Sequence, residues 1–148
     1  MSALTRTKPR GLVRRLLRLP IPLDERWLGG LLGHRFLLPT HRGRASGHLH
    51  QTVLEGLRYD PATRECIVVS AWGPRADWYR NLQAGPAVEV RTGRLRYAPT
   101  HRVLDRDEAA AVLARWERDP AARRRILDTA PVVAFRPRAG AGHPARDG

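Results

Sequence analysis

Apolar positions along this chain follow first a helical and then a strand period. Before residue 34, Leu12, Val13, Leu16, Leu17 and Leu19 are set against Arg14, Arg15 and Arg18, an amphipathic pattern that Pro20 and Pro22 end. Asp24 is placed to cap a second helix reaching about Leu32, with Gly33 as its stop. Strand patterns follow. Arg35 to Thr40 is a short strand, and His48 to Tyr59 reads as one long strand. The turn Asp60-Pro61-Ala62-Thr63 then returns the chain into Glu65 to Ser70, a nearly continuous apolar run. Gly73-Pro74 breaks that run. Pro74 suits the first position of a helix carrying Trp78, Tyr79, Asn81 and Leu82, which Gly85-Pro86 stops.

Ala87 to Thr92 alternates as a half-buried strand and turns at Gly93. Leu95 to Leu104 reads as the next strand, with Pro99 marking a bulge or an edge. Asp105 opens a helix whose apolar face is Ala109, Val112, Leu113 and Trp116. Asp119-Pro120 opens another, through about Leu127, and Pro131 to Phe135 is a last short strand. The sum is about six strands, mostly joined as hairpins, with helices at the start, middle and end. Helices never alternate regularly with strands, so the pattern predicts a mainly β, α+β architecture: a small antiparallel barrel flanked by helices. We expect a basic N-terminal arm over residues 1–33, a barrel domain over 34–137 and a disordered tail over 138–148.

Composition narrows the function classes. No apolar run approaches the roughly 20 residues of a membrane span. No signal-peptide core is present, so a cytoplasmic protein is expected. The single cysteine, Cys66, permits neither an internal disulfide nor a thiolate metal cage, and its strand pattern suggests a buried thiol. His48 and His50 share one strand face, yet further ligands are lacking, and no metal site is expected. The net charge of +13 lies almost wholly before residue 105. Such a field suits an anionic cofactor, nucleic acid or an anionic membrane surface, which residues 12–19 could touch.

Two loops concentrate the candidate chemistry. His41-Arg42-Gly43-Arg44-Ala45-Ser46-Gly47 offers guanidinium groups and backbone N–H groups to phosphates, but it lacks the spacing and lysine of a P-loop. Ser70-Ala71-Trp72-Gly73-Pro74-Arg75-Ala76-Asp77-Trp78-Tyr79-Arg80-Asn81-Leu82 combines aromatic faces with arginines at the start of a helix. It suits a planar, phosphorylated ligand or single-stranded nucleic acid.

These two loops, in this order, with Val88-Glu89-Val90 and a late Pro131-Val132-Val133-Ala134-Phe135-Arg136-Pro137, resemble the deazaflavin-dependent nitroreductase family of actinobacteria. The resemblance implies a split β-barrel of FMN-binding-like type. It also implies coenzyme F420, whose reduced form delivers a hydride from C5 to an electron-poor small organic acceptor. By the same resemblance Arg42, Gly43, Arg44, Ser46 and Gly47 cradle the phosphodiester and oligoglutamate tail, and Ser70, Ala71, Trp72 and Gly73 flank the ring. Trp78, Tyr79 and Asn81 hold the second loop or touch the ligand. If the protein must supply a proton, Tyr79 and His41 are the candidates. Two departures stand out: Ala45 replaces the lysine of the family's Gly-Arg-Lys-Ser-Gly, and residues 119–125 contain no tyrosine. The alternatives are a non-catalytic F420 carrier or sensor, a related FMN- or haem-binding barrel, and a basic nucleic-acid-binding barrel. The resemblance favours a small-molecule substrate over nucleic acid, with the protein a monomer or homodimer.

Overall fold

The computed structural model describes residues 33–70 and 73–140. The two helical patterns before residue 33, the segment 12–19 with its membrane reading, and most of the tail lie outside the described residues. Eight strands form one antiparallel sheet: β1 (Phe36–Arg42), β2 (Leu49–Gln51), β3 (Leu54–Asp60), β4 (Glu65–Val69), β5 (Glu89–Thr92), β6 (Leu95–Tyr97), β7 (Pro99–Val103) and β8 (Val132–Pro137). Their order is β6-β5-β1-β3-β4-β8-β7, with β2 paired to β1. The two outermost strands, β6 and β7, are consecutive in the chain and separated only by Ala98, whose carbonyl accepts from Arg138 N–H at 2.9 Å. The chain itself thus joins the ends of the sheet, and the result is nearly a closed barrel.

Two expected strands are each divided in two. The run from His48 to Tyr59 breaks at Thr52-Val53, because β1 changes partner there: its first half pairs with β3 and its last three residues with β2. Pro39, which has no N–H, lies at this change of partner, and its carbonyl accepts from Thr52 N–H at 3.2 Å. The run from Leu95 to Leu104 breaks at Ala98, where the chain passes from β5 to β8 as partner, so Pro99 marks the start of a strand. In both places a long-range choice of neighbour sets the break.

The continuous apolar runs of β4 and β8 are explained by burial on both faces. Cys66, Val68, Val133 and Phe135 point into the barrel, where they meet Leu37, Leu54, Val90 and Tyr97. Ile67, Val132 and Ala134, one residue out of phase, face outward beneath Leu104, Ala109, Val112 and Leu113. The outer cover comes from α2 (Arg106–Trp116) and α3 (Pro120–Thr129), preceded in the chain by α1 (Asp77–Ala84). Asp105 caps α2 by accepting from Glu108 N–H at 2.8 Å, and Asp119 caps α3 by accepting from Ala121 N–H at 3.0 Å. On α1, Trp78, Tyr79 and Leu82 enter the barrel-side cluster. Each such side chain contributes about 1.5–3 kcal/mol of burial, enough to fix a helix of only two turns against β1.

Candidate functional site

The first loop leaves β1 at Arg42 and closes on itself. Gly43 N–H donates to the His48 carbonyl at 2.8 Å, and Gly47 N–H donates to the Gly43 carbonyl at 2.9 Å. Ser46 Oγ accepts from His48 N–H at 3.2 Å, and Arg42 Nη1 donates to the Gly47 carbonyl at 2.9 Å. The outer surface of this turn is exposed from Arg44 through His50. Arg42 is itself exposed and has no carboxylate partner among the described residues.

The second loop meets the first through Asn81, which sits on the buried face of α1 beside Trp78 and Leu82. Asn81 Oδ1 accepts from Arg44 N–H at 3.1 Å and from Arg44 Nη1 at 2.9 Å. Two donors converging on one atom identify it as the carbonyl oxygen, so the amide nitrogen faces the other way. There Nδ2 donates to His41 Nδ1 at 2.9 Å. His41 Nδ1 is therefore an acceptor without a proton, and Nε2–H donates to Thr52 Oγ1 at 2.9 Å. Asp77 adds an ion pair with Arg44 Nη2 at 3.2 Å. His41 is only 4% exposed, and burial, reinforced by nearby His50 and opposed by Asp77, holds its pKa below the usual imidazole value.

The turn after β4 is equally closed. Ser70 N–H donates to the Pro131 carbonyl at 3.0 Å, and its hydroxyl donates to the Gly73 carbonyl at 2.7 Å. Gly73 N–H returns to the Ser70 carbonyl at 2.8 Å. Ser70 is fully buried and shapes this turn from within. Gly73 has φ +69°, and a Cβ there would stand 3.1 Å from the Thr129 carbonyl at the end of α3. Ala71 and Trp72, the middle of the expected ring-facing segment, lie outside the described residues. Pro74 belongs to a separate 3-10 turn, Gly73–Arg75, and α1 starts only at Asp77. Ala76 gives α1 no side-chain cap, and the carboxylate of Asp77 already places a negative charge in its first turn. The chain's own carboxylate thus meets the positive end of the helix dipole.

The other candidates are interior. Trp78 is 4% exposed, and its buried Nε1 has no hydrogen-bond partner among the described residues. Tyr79 packs edge-on to Trp78, with ring centroids 6.0 Å apart, and Gln83 Nε2 donates to its hydroxyl at 3.4 Å. Arg75 and Arg80 are exposed on the same stretch. His48 and His50 are exposed, and among the described residues no group of three or more His, Cys, Asp and Glu is placed to hold a metal. Sequence reasoning passed over Asp77 and Thr52. The available signal was a polar Asn81 among Trp78, Tyr79 and Leu82 on one buried helix face, which calls for buried partners.

The donor set suits a cofactor with an anionic tail: a cationic, solvent-facing turn is braced from behind by α1, and Arg42 remains without a carboxylate partner among the described residues. Comparisons with known proteins identify the family. The family described as F420H(2)-dependent quinone reductase matches residues 25–132. Among solved structures, an F420-H2 dependent reductase (FDR-A) is 22% identical with a TM-score of 0.54, covering 70% of this chain and 96% of the other. A second structure, described as a domain-swapped dimer, is 23% identical with a TM-score of 0.55, covering 85% of this chain and 95% of the other. These two likenesses establish the shared fold. A search of curated proteins gives no match. The chain belongs to the F420H2-dependent quinone reductase family, and is a split-barrel oxidoreductase that uses coenzyme F420.

Proposed function

We propose that the exposed turn from Arg42 to Gly47 holds the phosphodiester and tail of F420, and that the chain reduces a quinone-class acceptor. The observation that carries the assignment is the tie between Arg44 and α1 through Asp77 and Asn81, which gives an otherwise exposed turn a fixed shape. Arg42 supplies the positive charge, Gly43, Ser46 and Gly47 the backbone turn, and Arg44 the brace. Ser70 and Gly73 close the turn that would flank the deazaflavin ring. Trp78, Tyr79 and Asn81 hold α1 in place from the interior. Reduced F420 bound there supplies a hydride to an electron-poor acceptor. Tyr79 and His41 act from the interior, so the proton that completes the reduction comes from water. Residues 34–137 form the cofactor-binding unit, with 1–33 as a basic arm and 138–148 as a tail.

A homodimer is the assembly we infer, supported by the solved relative described as a domain-swapped dimer; light scattering at micromolar concentration tests it. No helix among the described residues is long and apolar enough to cross a membrane. The function is tested by mixing the protein anaerobically with reduced F420 and a benzoquinone, then a nitroaromatic, and following the return of oxidised-F420 absorbance. Catalysed oxidation by the quinone supports the reading. Tight binding without turnover on any acceptor would make the protein a carrier or sensor instead.

A further inference from the structure

We propose that His41 is a positioning residue for cofactor binding: only its neutral imidazole can complete the chain Thr52–His41–Asn81–Arg44 that fixes the 43–47 turn, an inference that rests on that turn being the F420 site. The argument is one of donors and acceptors. Asn81 has one carbonyl oxygen, given wholly to Arg44, and one amide group, given to His41 Nδ1. A proton on Nδ1 would set an imidazolium N–H against the Asn81 NH2, two donors facing each other in a buried site. Turning the amide over restores an acceptor for His41 but presents NH2 to the backbone N–H and guanidinium of Arg44. No orientation satisfies both ends, so protonation of His41 costs either the histidine or the turn its partner.

The remaining groups around the imidazole do not remove this conflict. His50 of β2 stacks on it at 5.9 Å and disfavours a proton on it. Asp77 of α1 favours the imidazolium, but its side chain is 82% exposed and already engaged by Arg44. Arg44 from the turn is cationic, and Thr52, following β2, offers only a hydroxyl. The Arg44–Asp77 pair alone is too exposed to hold the turn. Acid therefore releases Arg44 N–H from α1 and loosens the turn.

The test is F420 affinity of the full chain from pH 8 to pH 5, with amide hydrogen exchange of residues 43–47, corrected for intrinsic rates, as a readout independent of the cofactor. Wild type is expected to lose affinity by up to about tenfold per pH unit below the His41 pKa, with parallel loss of protection at Arg44. His41→Asn, whose Oδ1 can accept from Asn81 without titrating, should remove that dependence, and the variant-to-wild-type ratio cancels any titration of the ligand. Asn81→Asp, whose second oxygen accepts from imidazolium, should keep the turn protected and F420 bound in acid. A pH profile identical in wild type and both variants, with Arg44 protection unchanged, overturns the proposal. Failure to bind F420 at any pH, with pH-dependent protection at Arg44, would refute the cofactor site and leave the latch standing.

Discussion

Gly73→Ala separates two physical costs that the structure assigns to one residue. Gly73 has φ +69°, and Gly47 has φ +71°; only at Gly73 would a Cβ meet anything within 4 Å, the Thr129 carbonyl at 3.1 Å. Placing an L-residue in the left-handed region costs roughly 1–2 kcal/mol, offset by about 0.4–1 kcal/mol because alanine restricts the unfolded chain. Gly47→Ala should therefore cost about 1 kcal/mol. At Gly73 the contact adds an overpacking cost of about 1–2 kcal/mol, since the atom pressed upon is backbone and cannot rotate away. The expected total is about 2–3 kcal/mol. In a chain of this size each kcal/mol lowers Tm by roughly 2–4 °C, so the two variants should differ by several degrees in calorimetry. F420 affinity should also fall for Gly73→Ala if the Ser70–Gly73 turn borders the cofactor as proposed. Equal melting temperatures for the two variants would refute the argument that Thr129 seals this turn.

Three further outcomes follow from burial. Phe135, fully buried inside the barrel, should cost about 3–5 kcal/mol when replaced by alanine, read from the urea midpoint at unchanged slope. Burial pushes the Cys66 thiol up to about 11, so the folded protein should resist thiol reagents at pH 8 and react only on unfolding; rapid labelling of folded protein would contradict this. His34, His41 and His101 are each held below the ordinary imidazole value, chiefly by burial. The unfolded chain then binds protons first as pH falls through about 6.5, so stability should drop below that pH and level off beneath the folded-state values. His41, the most buried, contributes a slope of at most about 1.4 kcal/mol per pH unit, and a Tm flat from pH 7 to pH 5 would exclude it.

Local chemistry made much of the fold legible. Asp105 and Asp119 announce α2 and α3 because capping needs only residues two or three positions away. The apolar runs of β4 and β8 and the hairpin turn after Asp60 are likewise local signals. The breaks at Thr52-Val53 and Ala98 were not legible, because they arise where a strand changes neighbour across the barrel. The first turn of α1 was misplaced for a related reason. Gly73 and Pro74 carry helix-start chemistry, but they serve a turn packed under Thr129, and α1 begins three residues later. Gly85 ends α1 with φ −175°, ordinary extended backbone, so its glycine character is not what stops the helix.

The site was legible in part. Both arginine-bearing loops follow strands, which allows them to meet, and Arg44 does contact α1. The division of labour was not readable. Trp78 and Tyr79 look equally suited to a ligand or a core until the helix face is placed, and they lie inside. His41 looks like a proton donor until Asn81 shows that its Nδ1 must accept. Partners such as the half-buried Thr52 and the exposed Asp77 carry no motif of their own.

The central claim is that the Arg42–Gly47 turn binds the anionic part of F420. The direct measurement is a fluorescence titration of the full chain with F420 at pH 8, at low and high salt, for wild type and Arg42→Ala. Saturable binding that weakens with salt is expected, with Arg42→Ala weaker by roughly tenfold or more at low salt and less sensitive to salt than wild type. No saturation at tens of micromolar, or binding indifferent to both salt and Arg42, would contradict the account.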